Sequence, residues 1–326
     1  MTGLNKLGET AQEGQQLMEV LSEESRLKAI AFASEMDPHD HHALLTFGAE
    51  AQKRLSAFAN RMLDQVRKKD IGDAGRVISA LMSKLQELDP EELKQKKASF
   101  FTRLFGKGPR STQEVISRFQ QAGAQIDRMG IKLEMSKAVL LSDIEVLENL
   151  YTANQEYFHE LNVYISAGEW KLKELYENQH SEKSRQAAEN LEMRLYDLKV
   201  SREITRQSAP QIRMIQRSNH ILAEKIQSSI MTLIPLWKNQ VTIALTVVRQ
   251  KHAIEMQDKT AKASEVFADK NKKILQIEGS SQSVETLKKT QLDLLSTLEE
   301  TLYIQKEGSE NREKAEQELS FTEKKS

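Results

Sequence analysis

The fold of this chain is decided by residues 115–164, VISRFQQAGAQIDRMGIKLEMSKAVLLSDIEVLENLYTANQEYFHELNVY. Apolar side chains recur there at intervals of seven, and a second, mainly apolar set occupies companion positions. A seven-residue repeat keeps one stripe of a helix turned toward a partner, so a repeat of this length predicts a coiled-coil seam. A helix of about 55 residues spans about 80 Å, which predicts an elongated molecule. The seam positions are Phe119, Ile126, Leu133, Leu140, Leu147, Asn154 and Leu161, and the companions include Val115, Ala122, Met129, Leu150, Tyr157 and Tyr164.

The composition is that of a water-soluble helical protein. The 326 residues are 39% hydrophobic and 29% charged, and only 13 Gly and 5 Pro interrupt them. A formal net charge of −1 provides no global attraction to nucleic acid or acidic lipid. The absence of cysteine excludes disulfides, thiolate metal ligands and thiol redox chemistry by this chain. The first residues do not resemble a secretory signal, so a cytoplasmic location is expected.

The predicted fold is all-α: an elongated bundle of long antiparallel coiled-coil-like helices with a smaller N-terminal helical unit. Asp37 before Pro38 predicts the start of a first amphipathic helix that carries apolar residues from Leu44 to Val66. Pro210 predicts a break between two long helices, because the residue before a proline avoids helical geometry. The predicted parts are a flexible N-terminus over 1–22, the small helical unit over 23–110, the long-helix bundle over 111–320 and a frayed tail over 321–326.

Residues 229–250, SIMTLIPLWKNQVTIALTVVRQ, are unusually apolar for this chain. A lysine at the midpoint of a membrane span costs about 2.5–3.5 kcal/mol, which favours a buried helix over a span. Pro235 predicts a kink in that helix, because its ring would clash with the carbonyl of Met231. Trp237 would then anchor the bend against neighbouring helices. The polar triplet at 238–240 is either a layer that sets helix register or a working site facing other polar groups.

Asn154 is a second polar exception, since its counterparts along the seam are apolar. A polar seam residue commonly sets register or oligomeric state, at a cost in stability. The surrounding segment is also unusually polar and aromatic for a coiled-coil interior. We therefore predict a functional polar cluster from the two regions, and contact between them is a hypothesis that the pattern does not derive. Its members are Asn154, Tyr157, Asn162, Tyr164, Pro235, Trp237, Lys238, Asn239 and Gln240.

Residues 94–110, KQKKASFFTRLFGKGPR, carry six Lys or Arg and no acid. Basic residues interleaved with exposed Phe suit an anionic membrane surface. The structural alternative is that the Phe side chains close the end of the small helical unit while the charges are solvated. A helix start after this segment could also hold an oxyanion, although no phosphate-loop motif is present. The candidate membrane or anion contacts are Phe100, Phe101, Arg103, Leu104, Phe105, Lys107 and Arg110.

The stretch DPHDHH, residues 37–42, invites a metal-site interpretation from two Asp and two His. Helix capping explains both acids without a metal, and no distant His cluster completes a ligand set. We therefore expect no metal and no cofactor. No pairing of a nucleophile with a base stands out, so no catalytic residues are expected.

Several segments, in order, resemble the toxic anion resistance family of bacterial proteins, often called TelA-like or tellurite resistance proteins. The two most specific are NQEYFHELNVYISAGE at 154–169 and IPLWKNQVTIALTVVRQKHA at 234–253. The resemblance covers roughly residues 44 to 320. The supporting matches are FGAEAQKRLSAFANRML at 47–63, LMSKLQELDPEEL at 81–93 and FFTRLFGK at 100–107.

The resemblance implies an all-helical cytoplasmic protein linked to resistance against tellurite and other toxic-anion or envelope stress. It implies no catalytic mechanism and brings no catalytic residues. The leading hypothesis is a non-enzymatic scaffold or adaptor that works with other stress-resistance proteins and docks at the inner face of the cell membrane. The alternative is a protein that sequesters a small oxyanion or a metal. Nucleic acid is not an expected partner, and oligomeric state is not determined by the pattern.

Overall fold

The computed structural model describes residues 18–19, 21–67, 73–94, 111–177, 181–260 and 279–323. Every regular element in these ranges is helical, which confirms the predicted all-α class. Long helices dominate, as the seven-residue repeat predicted. The elements are α1 (Glu23–Glu35), α2 (His41–Thr46), α3 (Ala49–Arg67), α4 (Ala74–Gln86), a 3₁₀ turn (Pro90–Leu93), α5 (Thr112–Glu177), α6 (Glu182–Ser228), a π turn (Ser229–Leu233), α7 (Ile234–Thr260) and α8 (Gly279–Glu323).

In several of these helices, a side chain just before the helix accepts a hydrogen bond from a backbone N–H of the first turn. The Ser111 hydroxyl accepts a hydrogen bond from Glu114 N at 3.2 Å just before α5. Asp40 caps α2, because its carboxylate accepts from His42 N at 2.9 Å. The sequence predicted Asp37 as this cap, which is wrong: Asp37 instead accepts from His39 N in the preceding turn.

Gly48 divides the helix that was predicted to run from Leu44 to Val66. Its φ of 69° lies in the left-handed region, which only glycine adopts without strain. A Cβ at this position would also lie 2.9 Å from Leu198 Cδ2. The chain therefore turns between α2 and α3, and the packing of this corner requires glycine.

The predicted seam is confirmed. All seven of its residues lie on α5, and none exposes more than 1% of its surface. The charged and amide residues between them are largely exposed, so α5 buries a stripe along its length.

The residues form two compact units, each assembled from segments that are distant along the chain. The first unit contains Met1–Lys69, Ile144–Arg217 and Glu310–Ser326, and the second contains Asp70–Asp143 and Ser218–Ser309. In each unit, α5 is antiparallel to the helix that follows it. In the first, Glu148 pairs with Arg213 while Tyr176 meets Glu192. The domain boundaries predicted from linkers remain a prediction.

In the second unit the same antiparallel order holds. Asp127 of α5 pairs with Lys238, and Lys137 donates to Gln227. The core of this unit combines α4, the first half of α5, the end of α6, α7 and α8 around Trp237.

The predicted break at Pro210 is wrong, because α6 is continuous from Glu182 to Ser228. Proline removes the backbone donor for the carbonyl of Arg206, and the hydroxyl groups near it bond to other carbonyls of the helix. Thr205 Oγ1 donates to Arg202 O at 2.7 Å, and Ser208 Oγ donates to Ile204 O at 2.8 Å. Ile212 and Ile215 are buried just beyond the proline, so tertiary packing holds this stretch helical.

Gly168 does not end α5, which continues to Glu177. A Cβ on this glycine would lie 2.6 Å from Leu195 Cδ2 and 3.3 Å from Phe47 Cε1. The absence of a side chain at this point lets α6 and Phe47 approach the α5 backbone closely. Among the described residues, no helix is both long and apolar enough to cross a membrane.

Candidate functional site

Trp237 is the largest fully buried side chain of the described core. It lies near the start of α7 on a face shared with Ile234, Val241 and Ala244, all of which are buried. The opposite face, which includes Leu236, is exposed. The segment predicted to form a helix buried within the bundle is helical and buries one side, as an amphipathic helix does.

Gln291 of α8 provides the polar partner of Trp237. Trp237 Nε1 donates to Gln291 Oε1 at 3.3 Å, and Gln291 Nε2 donates at 2.8 Å to both Leu85 O and Leu88 O. Leu85 and Leu88 lie at the end of α4, where helix carbonyls lack partners within their own helix. One buried amide thus joins α7 and α8 to the C-terminus of α4.

Lys238 forms an ion pair rather than a buried layer. Its Nζ lies 2.7 Å from both carboxylate oxygens of Asp127 on α5, and both side chains are about half exposed. Asn239 is exposed and Gln240 is half-buried. An exposed ion pair of this kind contributes about 0–1 kcal/mol, so the triplet adds little to stability.

Pro235 is exposed and follows a π turn over Ser229–Leu233. In that turn, Ile234 N donates to Ser229 O, five residues back instead of four. The wider turn alters the backbone beside the carbonyl of Met231, which a proline ring at 235 would otherwise contact. The irregularity observed here is a π turn immediately before the proline, and the kink at Pro235 itself remains a prediction.

The other half of the predicted cluster lies in the first unit, on α5. Asn154 is 1% exposed, and its Nδ2 donates to Thr205 O of α6 at 2.9 Å. Arg202 donates to Asn162 Oδ1 at 3.4 Å, one level along the same pair of helices. These amides therefore bridge α5 and α6.

The two predicted tyrosines pack against other helices. Tyr164 stacks on Phe32 of α1 with ring centroids 4.9 Å apart and meets Phe47 edge-on at 5.3 Å. Tyr157 contacts Phe58 of α3 at 5.5 Å. Burial raises the pKa of the Tyr164 phenol, with a smaller contribution from a nearby carboxylate. Each aromatic ring thus packs against a different neighbour of α5.

A charged network that the sequence pattern did not reveal lies beside this region. Arg213 donates through both terminal nitrogens to the Glu148 carboxylate, and Gln216 donates to the same carboxylate at 2.8 Å. These hydrogen bonds lower the pKa of Glu148. The Arg213 guanidinium also lies 3.6 Å over the ring of Tyr151, in cation–π contact.

Glu169 is the last residue of the 154–169 segment, and its carboxylate is buried. Its side chain is 4% exposed, and Lys199 of α6 lies 2.7 Å from its Oε1. Spacing alone did not reveal Glu169, Gln291 or Asp127, because each is a common surface residue type whose partner is distant in sequence. The only signal in the sequence is their position: each of the three residues lies within one or two residues of a buried residue on its own helix.

The predicted membrane or anion contacts, Phe100 to Arg110, lie outside the described residues. The acids of the 37–42 stretch cap backbone N–H groups, as noted above. Within the ranges that the structure describes, no three His, Asp or Glu side chains are grouped so that they could hold a metal ion.

Comparison with known proteins gives the family. The family described as toxic anion resistance protein (TelA) matches residues 29–326. The uncharacterized protein YaaN of Bacillus subtilis (strain 168) is 44% identical, over 94% of this chain and 87% of that protein. The uncharacterized protein Lmo1967 of Listeria monocytogenes is 42% identical, over 93% and 83%. The TelA-like protein SAB1262 of Staphylococcus aureus is 39% identical, over 92% and 87%. No solved structure matches. The chain therefore belongs to the toxic anion resistance (TelA) family.

Proposed function

We propose that this chain is a non-enzymatic helical scaffold or adaptor in bacterial resistance to tellurite and other toxic-anion or envelope stress. Membership of the TelA family supports a role in toxic-anion resistance. The finer proposal is that the protein acts by holding other stress-resistance proteins together, from the cytoplasm.

One observation carries the scaffold proposal: the polar side chains that were candidates for chemistry are engaged between helices. Trp237 and Gln291 join three helices, Lys238 binds Asp127, and Asn154 binds a backbone carbonyl. A catalytic group must instead reach a substrate in a cleft, with a base or electrophile beside it. Side chains that are engaged between helices hold those helices in place. They thereby stabilise the helical surface that a scaffold would offer to its partner proteins.

Isothermal titration of the purified full chain with tellurite separates a scaffold from an oxyanion-sequestering protein. A scaffold releases no binding heat at tellurite concentrations that inhibit growth. Saturable heat with a defined stoichiometry would overturn the scaffold proposal in favour of sequestration. A parallel titration with selenite would show whether any such site selects among oxyanions.

Complementation tests whether the α7 triplet takes part in resistance. A strain that lacks the protein would carry either the wild type or the Lys238→Met, Asn239→Leu variant, and growth would be measured on tellurite. The variant should fold, because an exposed pair contributes at most about 1 kcal/mol. Loss of resistance with normal circular dichroism assigns a working role to the triplet, whereas full resistance removes that role.

We further propose peripheral docking at the inner face of the membrane through the basic Phe segment. Each basic residue near an anionic surface contributes about 1 kcal/mol, and the Phe side chains add apolar burial. Flotation with vesicles of mixed phosphatidylglycerol and phosphatidylcholine should carry the wild type upward, whereas a Phe100→Ser, Phe101→Ser, Phe105→Ser variant should remain below. A Leu292→Ser, Tyr303→Ser variant is the control, because both residues are exposed on α8. Equal flotation of wild type and the Phe variant would exclude this surface.

A further inference from the structure

The outer face of α7 carries no charge, although 29% of the chain is charged. Eight residues are exposed between Met231 and Thr246, and none of them is acidic or basic. An equal length of α8, residues 285–300, exposes nine residues, of which six are charged. The one charged residue of the α7 stretch, Lys238, is paired with Asp127 of α5. A helix face in water normally carries charges, so this face has the composition of the core of a protein interface.

Large apolar side chains on this face are accessible to a partner. Met231 is 65% exposed, Leu236 44% and Ile243 41%. Thr242 and Thr246 add to the apolar surface, because each hydroxyl donates to the carbonyl four residues earlier, at 2.9 and 2.8 Å. Since these hydroxyl protons are used within the helix, a partner would meet chiefly the threonine methyl groups.

The adjacent face of α5 extends the apolar surface. Asp127 marks the side of α5 that lies beside α7, because it contacts Lys238. Ile131 and Met135 follow Asp127 by one and two turns, and they are 59% and 65% exposed. The α7 stretch is about 22 Å long and two helices side by side are about 20 Å wide, so the two faces form one surface of roughly 450 Å².

We propose that this surface pairs with the same surface of a second copy of the chain, with the two α7 helices antiparallel. Dimers are most commonly two-fold symmetric, and such an interface must be complementary to itself. Asn239 provides this complementarity. It is exposed at the centre of the face, one turn from both Pro235 and Ile243 and two turns from both Thr232 and Thr246.

A two-fold axis beside Asn239 would place the Asn239 side chains of both copies against each other. A carboxamide contains a donor and an acceptor, so two copies can exchange hydrogen bonds. The same axis places Thr232 of one copy opposite Thr246 of the other. Because the α7 face is uncharged, its self-contact brings no like charges together.

The size of the surface predicts how strong the pairing is. A standard interface uses about 800 Å² per partner, so roughly 450 Å² favours a reversible dimer that dissociates on dilution through the micromolar range. A lipid surface fits less well, because a face that binds anionic lipid carries Lys or Arg, and Lys238 is the one such residue of this stretch.

Sedimentation equilibrium of the full chain tests the pairing. The average mass should rise with concentration from the monomer value of 37.2 kDa toward twice that value. Leu236→Glu should weaken the dimer by about tenfold or more, because it places a carboxylate within an apolar interface. Leu292→Glu is the matched control: it makes the same change at an exposed position of α8 and should leave association within about twofold. Circular dichroism should not distinguish the variants from the wild type.

Single cysteines test the antiparallel arrangement. The chain has no cysteine, so an introduced cysteine is its only thiol. Under a mild oxidant, Asn239→Cys should form a disulfide-linked dimer. Thr232→Cys alone should not, because the arrangement places it about 21 Å from its own copy along the helix. A mixture of Thr232→Cys and Thr246→Cys should form the mixed disulfide.

A chain that remains monomeric at about 200 μM, or a dimer that Leu236→Glu retains, overturns the proposal. Linkage of Thr232→Cys to itself as readily as Asn239→Cys overturns the antiparallel arrangement. Flotation of a monomeric chain with phosphatidylglycerol vesicles, abolished by Leu236→Glu and retained by Leu292→Glu, replaces the second copy with a lipid surface. A monomeric chain can still be an adaptor, whereas saturable tellurite heat removes the adaptor role whether or not the chain dimerises.

Discussion

Replacing Gln291 with leucine should destabilise the second unit, because one amide there satisfies several buried polar groups. Gln291 is 6% exposed and Trp237 is fully buried. The change strands Trp237 Nε1–H and Leu88 O, while Leu85 O retains the backbone donor Leu88 N at 3.1 Å. Each stranded buried group costs about 1–3 kcal/mol. The new leucine recovers part of this through apolar burial, so we expect a net loss of about 2–4 kcal/mol.

Denaturant unfolding followed by tryptophan fluorescence measures this loss. The chain has two tryptophans, and Trp170 is 56% exposed in the first unit. A Trp170→Phe background therefore leaves Trp237 as the reporter of the second unit. Gln282→Leu is the matched control, because it makes the same substitution at an exposed position on the same helix. If Gln291→Leu and Gln282→Leu unfold within about 0.5 kcal/mol of each other, the amide does not have the assigned role.

Gln291→Glu sharpens the same reasoning through pH. The introduced carboxylate would face two carbonyl oxygens that need donors, and burial would raise its pKa in the folded state. The destabilisation should therefore be largest at neutral pH. It should lessen as pH falls through the raised folded value toward the unfolded value of about 4.3, where the protonated acid donates once. A penalty that does not change with pH would contradict the assigned geometry.

Four further changes follow from the first unit and from α5. Gly168→Ala should cost about 1–3 kcal/mol through overlap with a leucine methyl carbon, whereas Gly130→Ala, with open space at its Cβ, should stabilise the same helix by about 0.5–1 kcal/mol in denaturant titrations. Asn154→Leu should raise stability by about 1–3 kcal/mol, because one amide oxygen there is buried without a partner among the described residues; a loss of stability would refute this. Arg213→Met should return the pKa of Glu148 toward its ordinary value. In the wild type, the lowered pKa of Glu148 contributes stability above the unfolded pKa, and this contribution is lost as pH falls through the folded pKa. The variant should lack this contribution. An NMR titration of the Glu148 side chain would detect the change in its pKa.

The helical class and the seam on α5 could both be predicted from local pattern. Periodicity reports which face of a helix is apolar, and each of the seven seam residues is indeed buried. Two predictions were wrong, the break at Pro210 and the continuous helix through Gly48, and both errors have one cause. Pro210 lies inside a helix that tertiary packing maintains, whereas Gly48 ends one because its left-handed backbone fits a tight corner. The intrinsic helix propensity of a residue does not depend on its tertiary neighbours, so it predicts neither case.

The candidate site shows the same limit more strongly. The sequence singled out Trp237 and Lys238 as unusual, and both make specific polar contacts in the structure. It did not indicate Gln291 or Asp127, since a glutamine or an aspartate on a helix is ordinary until its neighbours are known.

The sequence by itself determined that the chain is helical, which side of each long helix is apolar, and to which family the protein belongs. Those properties follow from spacing and identity along the chain, which no partner needs to supply. Only the tertiary structure decided that Gln291 reaches a carbonyl 206 positions earlier and that Lys238 meets an acid 111 positions away. Such contacts depend on helix order, register and the small residues at crossings, and many pairings satisfy the same apolar pattern before packing selects one.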